Sequence, residues 1–600
     1  MKKLISYNII FLIFSHLCIA QEKVSGFVYD DVTNNSIPNV AIYDSNSEQV
    51  YYTDKSGYFE FNKNINTSEI IFFIEGYALL SKQLSEDNTN LNIRLSTRVE
   101  QLNEVVVRAN KKKIFQIRRM KDFEETSVFA GKKNEVILLE LSMANLASNN
   151  ARQIYNQIPG LNIYQNDDAG LQLNIGGRGL DPNRTSNFNT RQNGYDISAD
   201  ALGYPESYYT PPAEGLNEIQ ILRGAASLQY GTQFGGLINF IMKKPNPDKK
   251  LEIIARNTVG SNNLFTNFTS LSSKGKKLSY YGYFNYKKGK GFRINSNFES
   301  TNTFQFIEFK FNETSSISSE ITYLKYLAKQ AGGLSDEMFI QNPFQSNRSR
   351  NWFEVDWLLY NLKYKKEFSA NTNFSFSFFG LEAKRNSLGF RTNRVSQVDS
   401  GQERDLIKGD FSNFGFETRL LTNYKAFKYK SYFLLGLKYY NSNSSSIQGP
   451  GSNGDDANFN FQNSLYPNYT NQSNYIYPNR NIALFGENIF YLNDKFSITP
   501  GFRYENIVTK SNGFYRKINL DGAGNVIFNE KYDEIDERRR NFLLIGLGIS
   551  YKANRNLEIY TNLSENYRSV TFADISIINP AYAVNPDIDD EKGYTFDLGL

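Results

Sequence analysis

The chain has 600 residues, a formal charge of +5 and a mean hydropathy of −0.50. That hydropathy excludes a bundle of membrane helices, the small charge makes no case for nucleic acid, and the length exceeds one ordinary domain. The single Cys (Cys18) and the single His (His16) both fall in the first twenty residues, so the rest of the chain has no thiol or imidazole catalysis, no Cys/His metal site and no disulfide; no catalytic residue, cofactor or metal site is assigned. Aromatics make up 15%, with 40 Tyr and 47 Phe. This suits a large soluble all-β protein or a membrane β-barrel, whose alternating lipid- and lumen-facing residues average the hydropathy out.

Residues 1–20 read as a secretory signal peptide. Lys2 and Lys3 precede the mostly apolar Leu4 to Leu17, and Cys18-Ile19-Ala20 offers a small-x-small cleavage site before Gln21. A lipoprotein reading of Cys18 is disfavoured by the bulky Leu17 and Ile19 around it.

Residues 21–96 predict a small β-sandwich. Val24 to Tyr29 is one strand, Ile37 to Tyr43 a second, and Thr53 to Phe61 a turn followed by an alternating strand. The patterns V-x-G-x-V, P-N-V-x-I and T-D-x-x-G-x-F resemble the carboxypeptidase regulatory-like domain, which is not a peptidase.

Residues 97–123 predict a linker. Within it lies 102–109, with Leu102, Asn103, Glu104 and three valines, Val105, Val106 and Val107, that favour an extended backbone. Placed between two domains and before a plug-like segment, this run resembles a TonB box. The resemblance implies an energy-coupling TonB-type partner bound by strand addition.

Residues 124–246 resemble the plug domain of TonB-dependent receptors. The markers are Asn150 to Ile154, Ile158-Pro159-Gly160-Leu161, Asn174 to Gly179, Ile219 to Gly231 and Gly235 to Ile241. The segment lacks the Lys-Ser/Thr of a phosphate loop. From residue 250 to 600 long alternating strands follow. Phe414, Phe416, Thr418, Leu420, Thr422 and Tyr424 share one face, and Gly415, Glu417, Arg419, Asn423 and Lys425 the other, with Leu421 as the exception. Phe433 to Tyr439 and Leu543 to Tyr551 repeat the scheme. Short turns at Asn493 to Lys495 and Asn554 to Asn556 alternate with long polar segments at Asn441 to Asn481, Val508 to Arg540 and Asn566 to Lys592, as in outer-membrane barrels.

The predicted fold class is therefore mainly β: an N-terminal β-sandwich, a mixed α/β plug and a transmembrane antiparallel barrel in outer-membrane lipid. Roughly fourteen strand candidates run from Leu251 to Leu600, against about twenty-two for a lumen that holds a plug. The sequence is thus read as ending in mid-barrel.

Two stretches are similar to the ferric dicitrate transport branch: Gly203 to Pro212, and Gln330 to Ser335 leading to Ser346 to Phe353. The resemblance implies uptake of an anionic ferric chelate of the citrate type. Arginine's planar fork matches carboxylates, so Arg184 and Arg191 in the plug and Arg348, Arg350, Arg391 and Arg394 in the barrel are candidate ligand contacts, with Tyr204, Tyr208 and Tyr209 packing against the ligand. Arg178 and Arg223, in the two Arg-Gly plug motifs, are expected to latch the plug to barrel glutamates; Glu487 and Glu505 lie in the lumen phase. Rival cargoes on the same architecture are heme, cobalamin and oligosaccharide, the last disfavoured by a total of 2 Trp. A porin or adhesin would need neither plug nor TonB box, and no motif supports an enzyme.

Overall fold

The computed structural model describes residues 23–44, 50–62, 69–84, 90–96, 117–223, 228–231, 233–392, 394–426, 428–554, 556–572, 585 and 587–600. The signal peptide and residues 102–109 lie outside the described residues.

In the N-terminal unit two sheets pack face to face. Lys23–Asp30 pairs antiparallel with Tyr58–Asn62 and parallel with Asn90–Leu95. The second sheet runs in the order Val50–Tyr52, Ala41–Asp44, Glu69–Phe73, Leu80–Gln83. Alternate residues close the core: Val24 and Val28 from one sheet meet Ile42, Ile70 and Phe72 from the other. The strand expected from Ile37 begins instead at Ala41, because Pro38 and Asn39 form a turn in which Asn39 has φ +60°.

The plug is built on a six-stranded mixed sheet in the order Tyr195–Asp196, Phe188–Gln192, Gly236–Met242, Leu216–Arg223, Lys133–Leu138, Ile117–Arg118. It recruits Ile117 and Arg118, which the sequence placed in the linker. Asn193 (φ +47°) and Gly194 (φ +90°) join Phe188–Gln192 to Tyr195–Asp196, the positive-φ pair that a two-residue hairpin requires.

Around the plug runs a fourteen-stranded antiparallel sheet from Leu251–Gly260 to Glu591–Gly599, each strand paired with the next in sequence. Among the described residues no helix is long and apolar enough to cross a membrane; the strands make the crossing. In Asp405–Ala426 burial alternates as the period predicts: Phe411, Asn413, Glu417 and Arg419 are buried inward, while Phe414 faces out. Leu421 is buried because it packs on plug Val128 and Ala130. The lumen wall is less polar than a water-filled one. Phe268, Phe304, Trp357 and Phe379 join the plug's core residues in one cluster, since here the wall faces protein, and burying each ring contributes about 2 kcal/mol.

Turns at one end of the barrel are short, such as 313–314 and 370–371, and segments at the other are longer, such as 330–351, 390–404 and 451–471. Two expected loops are in part strand. Asn441 to Pro450 and Gln472 to Asn481 extend the ladder, and Val508 to Arg540 is a hairpin closed by a turn at 521–525. Beyond the bilayer a strand needs no apolar face. The hydrophobic period therefore vanishes while main-chain pairing continues, helped by cross-strand contacts such as Tyr515 on Tyr532 at 5.2 Å.

Candidate functional site

A cavity of about 550 Å³ opens at the long-loop end, between the plug tip and the barrel wall. The plug contributes Arg184, Tyr204 and Glu206; the barrel contributes Arg348, Arg385, Arg391, Gln448 and Tyr477, among others.

Local structure presents these groups. Arg184 (φ +48°) and Thr185 (φ +57°) are both left-handed, a costly state for a β-branched residue, of order 1–3 kcal/mol. The turn is held because Thr185 Oγ1 donates to Leu173 O at 3.0 Å and accepts from Ile175 N at 3.1 Å, and Arg184 N donates to Asn174 Oδ1 at 2.8 Å. Tyr204 sits on a tight loop closed by two 2.9 Å backbone bonds with Asp200. The buried Asp200 carboxylate anchors that loop to the wall, accepting from Ser442 Oγ (2.7 Å), Ser444 Oγ (3.2 Å) and Asn479 Nδ2 (2.8 Å). Burial pushes its pKa up and these donors oppose the shift.

A hydrogen-bonded floor joins plug and barrel. Arg385 Nη2 donates to Tyr204 OH at 3.0 Å, the Tyr204 and Tyr208 hydroxyls are 2.6 Å apart, and Tyr208 OH donates to Glu206 at 2.9 Å. Arg184 Nη1 donates to the same Glu206 oxygen at 2.8 Å. The buried Nε of Arg385 has no hydrogen-bond partner.

The structure brings together Arg184, Tyr204, Arg348 and Arg391 of the predicted residues, with Tyr208 beneath them. Arg348 borders the cavity while donating to the carbonyls of Asn347 (2.7 Å) and Gln397 (3.0 Å). Arg391 is half exposed, with Nη1 3.1 Å from Ser387 Oγ.

Other expected placements are corrected. Arg191, 1% exposed, lies in the plug interior and pairs with barrel Glu417 at 3.2 Å. Tyr209 is packed in the plug and donates to Gln192 Oε1 at 2.9 Å. Arg350 grips both carboxylate oxygens of Asp399 and two loop carbonyls, which makes it a loop clamp. Arg394 is exposed and lines no part of the cavity. Arg178 does reach a barrel carboxylate, Asp597 rather than a glutamate, at 2.5 Å. Arg223 does not: it meets Glu135 (3.4 Å) and Pro159 O (2.8 Å) inside the plug.

The buried plug–barrel anchors lie elsewhere. Lys132 pairs with Glu487, Glu417 bridges Arg191 and Arg419, and Arg503, held by Glu505 at 2.5 Å, donates to plug Leu228 O at 3.0 Å.

Sequence reasoning missed Arg385, Glu206 and Phe572. Arg385 had a signal: it shares the inward phase of Phe379, Leu381 and Ala383, near the loop end of Thr372–Gly389. Phe572 had none. It stacks on Tyr477 at 3.8 Å and covers Gly203, where a Cβ would lie 2.1 Å from the ring.

Comparison with known sequences settles the class. Residues 140–237 match the TonB-dependent receptor plug domain, and residues 309–600 match the TonB-dependent receptor-like β-barrel. The chain belongs to the TonB-dependent receptors. Residues 24–107 match the CarboxypepD_reg-like domain, so the receptor carries that module ahead of its plug. It is an outer-membrane protein and not an enzyme. Among curated relatives, the ferric enterobactin receptor PirA of Pseudomonas aeruginosa is 30% identical over 140 residues, a match covering 21% of this chain and 17% of that protein.

Solved structures of similar fold include the unliganded ferric citrate transporter FecA (TM-score 0.61, 19% identity, 78% of this chain and 67% of that one). The ferric yersiniabactin receptor FyuA of Yersinia pestis follows (0.60, 15%, 78% and 69%), as does the copper transporter OprC (0.60, 14%, 79% and 70%). At these identities the likeness establishes the fold.

Proposed function

We propose that the receptor imports an anionic ferric chelate of the citrate type across the outer membrane, driven by a TonB-type inner-membrane partner acting on residues 102–109. The observation that carries this reading is the cavity's charge: among the described lining residues four arginines, Arg184, Arg348, Arg385 and Arg391, stand against one carboxylate, Glu206, with the buried Asp405 3.6 Å from Arg391. Convergent guanidinium groups favour a polycarboxylate. Among the described residues no group of His, Cys, Asp and Glu could hold a metal ion, and with no thiol or imidazole in the chain beyond residue 18 the chelator keeps the iron while the protein reads its shape and charge. Binding energy alone moves nothing inward. The chain carries no nucleotide motif, so the work comes from the partner.

A catecholate chelate is the second reading, favoured by the aromatic walls Tyr204, Phe353, Phe390, Phe411 and Tyr477. The test is binding and uptake of labelled ferric citrate and of a ferric catecholate, with and without residues 102–109. Tight binding of ferric citrate, with uptake lost on deletion, supports the first reading. Preference for the catecholate replaces it with the second, and uptake that survives deletion refutes the coupling role of 102–109.

A further inference from the structure

Among the described residues, Glu206 is the one carboxylate lining a cavity that holds four arginines. It is 16% exposed, and Oε2 accepts from Arg184 Nη1 at 2.8 Å and from Tyr208 OH at 2.9 Å. Its main-chain oxygen accepts from Ala199 N at 2.9 Å, which fixes the backbone that carries it. The carboxylate thus meets Arg184 in the way a ligand carboxylate would. A neutral side chain of the same shape could accept the same two hydrogen bonds, so local structure does not require an acid here. What the acid adds is charge. It neutralises Arg184 in the empty site, and it repels any anion that approaches the same guanidinium.

We propose that Glu206 is a built-in counter-anion that sets how much negative charge a ligand must carry to be accepted. A weakly charged ligand gains nothing at Arg184, because Glu206 already satisfies it. A polyanion gains through the remaining arginines, above all Arg385, which donates to the neutral Tyr204 hydroxyl, and competes with Glu206 for Arg184. This rests on the reading of the cavity as the ligand site, and not on citrate being the cargo.

The test is titration calorimetry on the whole receptor in detergent micelles, with two probes, ferric citrate and inorganic pyrophosphate. Three proteins are compared: wild type, Glu206→Gln and Glu354→Gln. Glu354 lies on the outer wall, where it accepts from Asn386 Nδ2 at 2.8 Å, so its replacement changes net charge equally but outside the cavity. Glu206→Gln is expected to bind both probes about tenfold tighter, with a steeper salt dependence, while Glu354→Gln matches wild type. Unchanged or weaker binding in Glu206→Gln overturns the proposal, as does equal tightening in both variants. If pyrophosphate tightens in Glu206→Gln but no protein binds ferric citrate, the counter-anion stands and the citrate reading falls. If no protein binds either probe, both fall.

Discussion

Replacing Glu417 with alanine tests what holds the plug in the barrel. Glu417 projects into the lumen from Asp405–Ala426 and accepts from plug Arg191 at 3.2 Å and from barrel Arg419 at 2.7 Å, with side-chain exposures of 7%, 1% and 7% in that order. Its loss leaves two guanidinium groups buried without their carboxylate, and deleting one partner of a buried pair costs about 3–5 kcal/mol. Arg191 keeps the carbonyls of Gly194 (2.6 Å) and Tyr230 (2.6 Å), and Arg419 keeps that of Gln229 (2.9 Å). The lower end therefore applies, about 3 kcal/mol, or about a hundredfold in the local opening equilibrium. The assay is native-state hydrogen exchange on the receptor in micelles. Amides of Phe188–Gln192 and of its partner strand Gly236–Met242 are read against those of Tyr58–Asn62 in the N-terminal unit as internal reference. Exchange in the two plug strands should accelerate about a hundredfold while the reference stays constant. Unchanged plug exchange would refute the view that this triad anchors the plug.

Arg385→Ala should weaken ferric citrate binding about tenfold or more, because a charged hydrogen-bond donor facing the cavity is lost; equal affinity in a direct titration would remove Arg385 from the site. Arg350→Ala should instead loosen the loops it ties together, Asp399 and Gln402 on one side and Asn453 on the other. Limited proteolysis should cut residues 394–404 faster, with ligand affinity reduced less than by Arg385→Ala. In the N-terminal unit, the Asp30 carboxyl is held at about 2 by the N–H of Thr33, the Tyr77 hydroxyl and the N–H of Val32. A depressed folded pKa gives stabilisation that is complete above the unfolded value of about 4 and is lost as pH falls toward 2. After correction for intrinsic rates, exchange of the Val32 and Thr33 amides should therefore accelerate between those values in wild type, and show no such step in Asp30→Asn.

What the sequence established is what depends on local periodicity and on turn chemistry. Strand phase in Asp405–Ala426 and the succession of about fourteen antiparallel strands from Leu251 to Leu600 follow from residues two or three positions apart. Where the strands leave the membrane that information ends: Val508 to Arg540 carries no alternating apolar face, yet it is paired throughout except at its turn. The site depended on tertiary structure for a related reason. Arg184, Arg191, Arg348 and Arg350 are alike as sequence, four arginines in or near turns. Their roles are assigned by neighbours far along the chain: Glu206 beside Arg184, Glu417 beside Arg191, Gln397 over Arg348 and Asp399 against Arg350. Whether an arginine faces the cavity or is enclosed within the protein depends on which carboxylates and carbonyls the fold brings to it. That is a property of the barrel wall and the seated plug, and no local pattern encodes it.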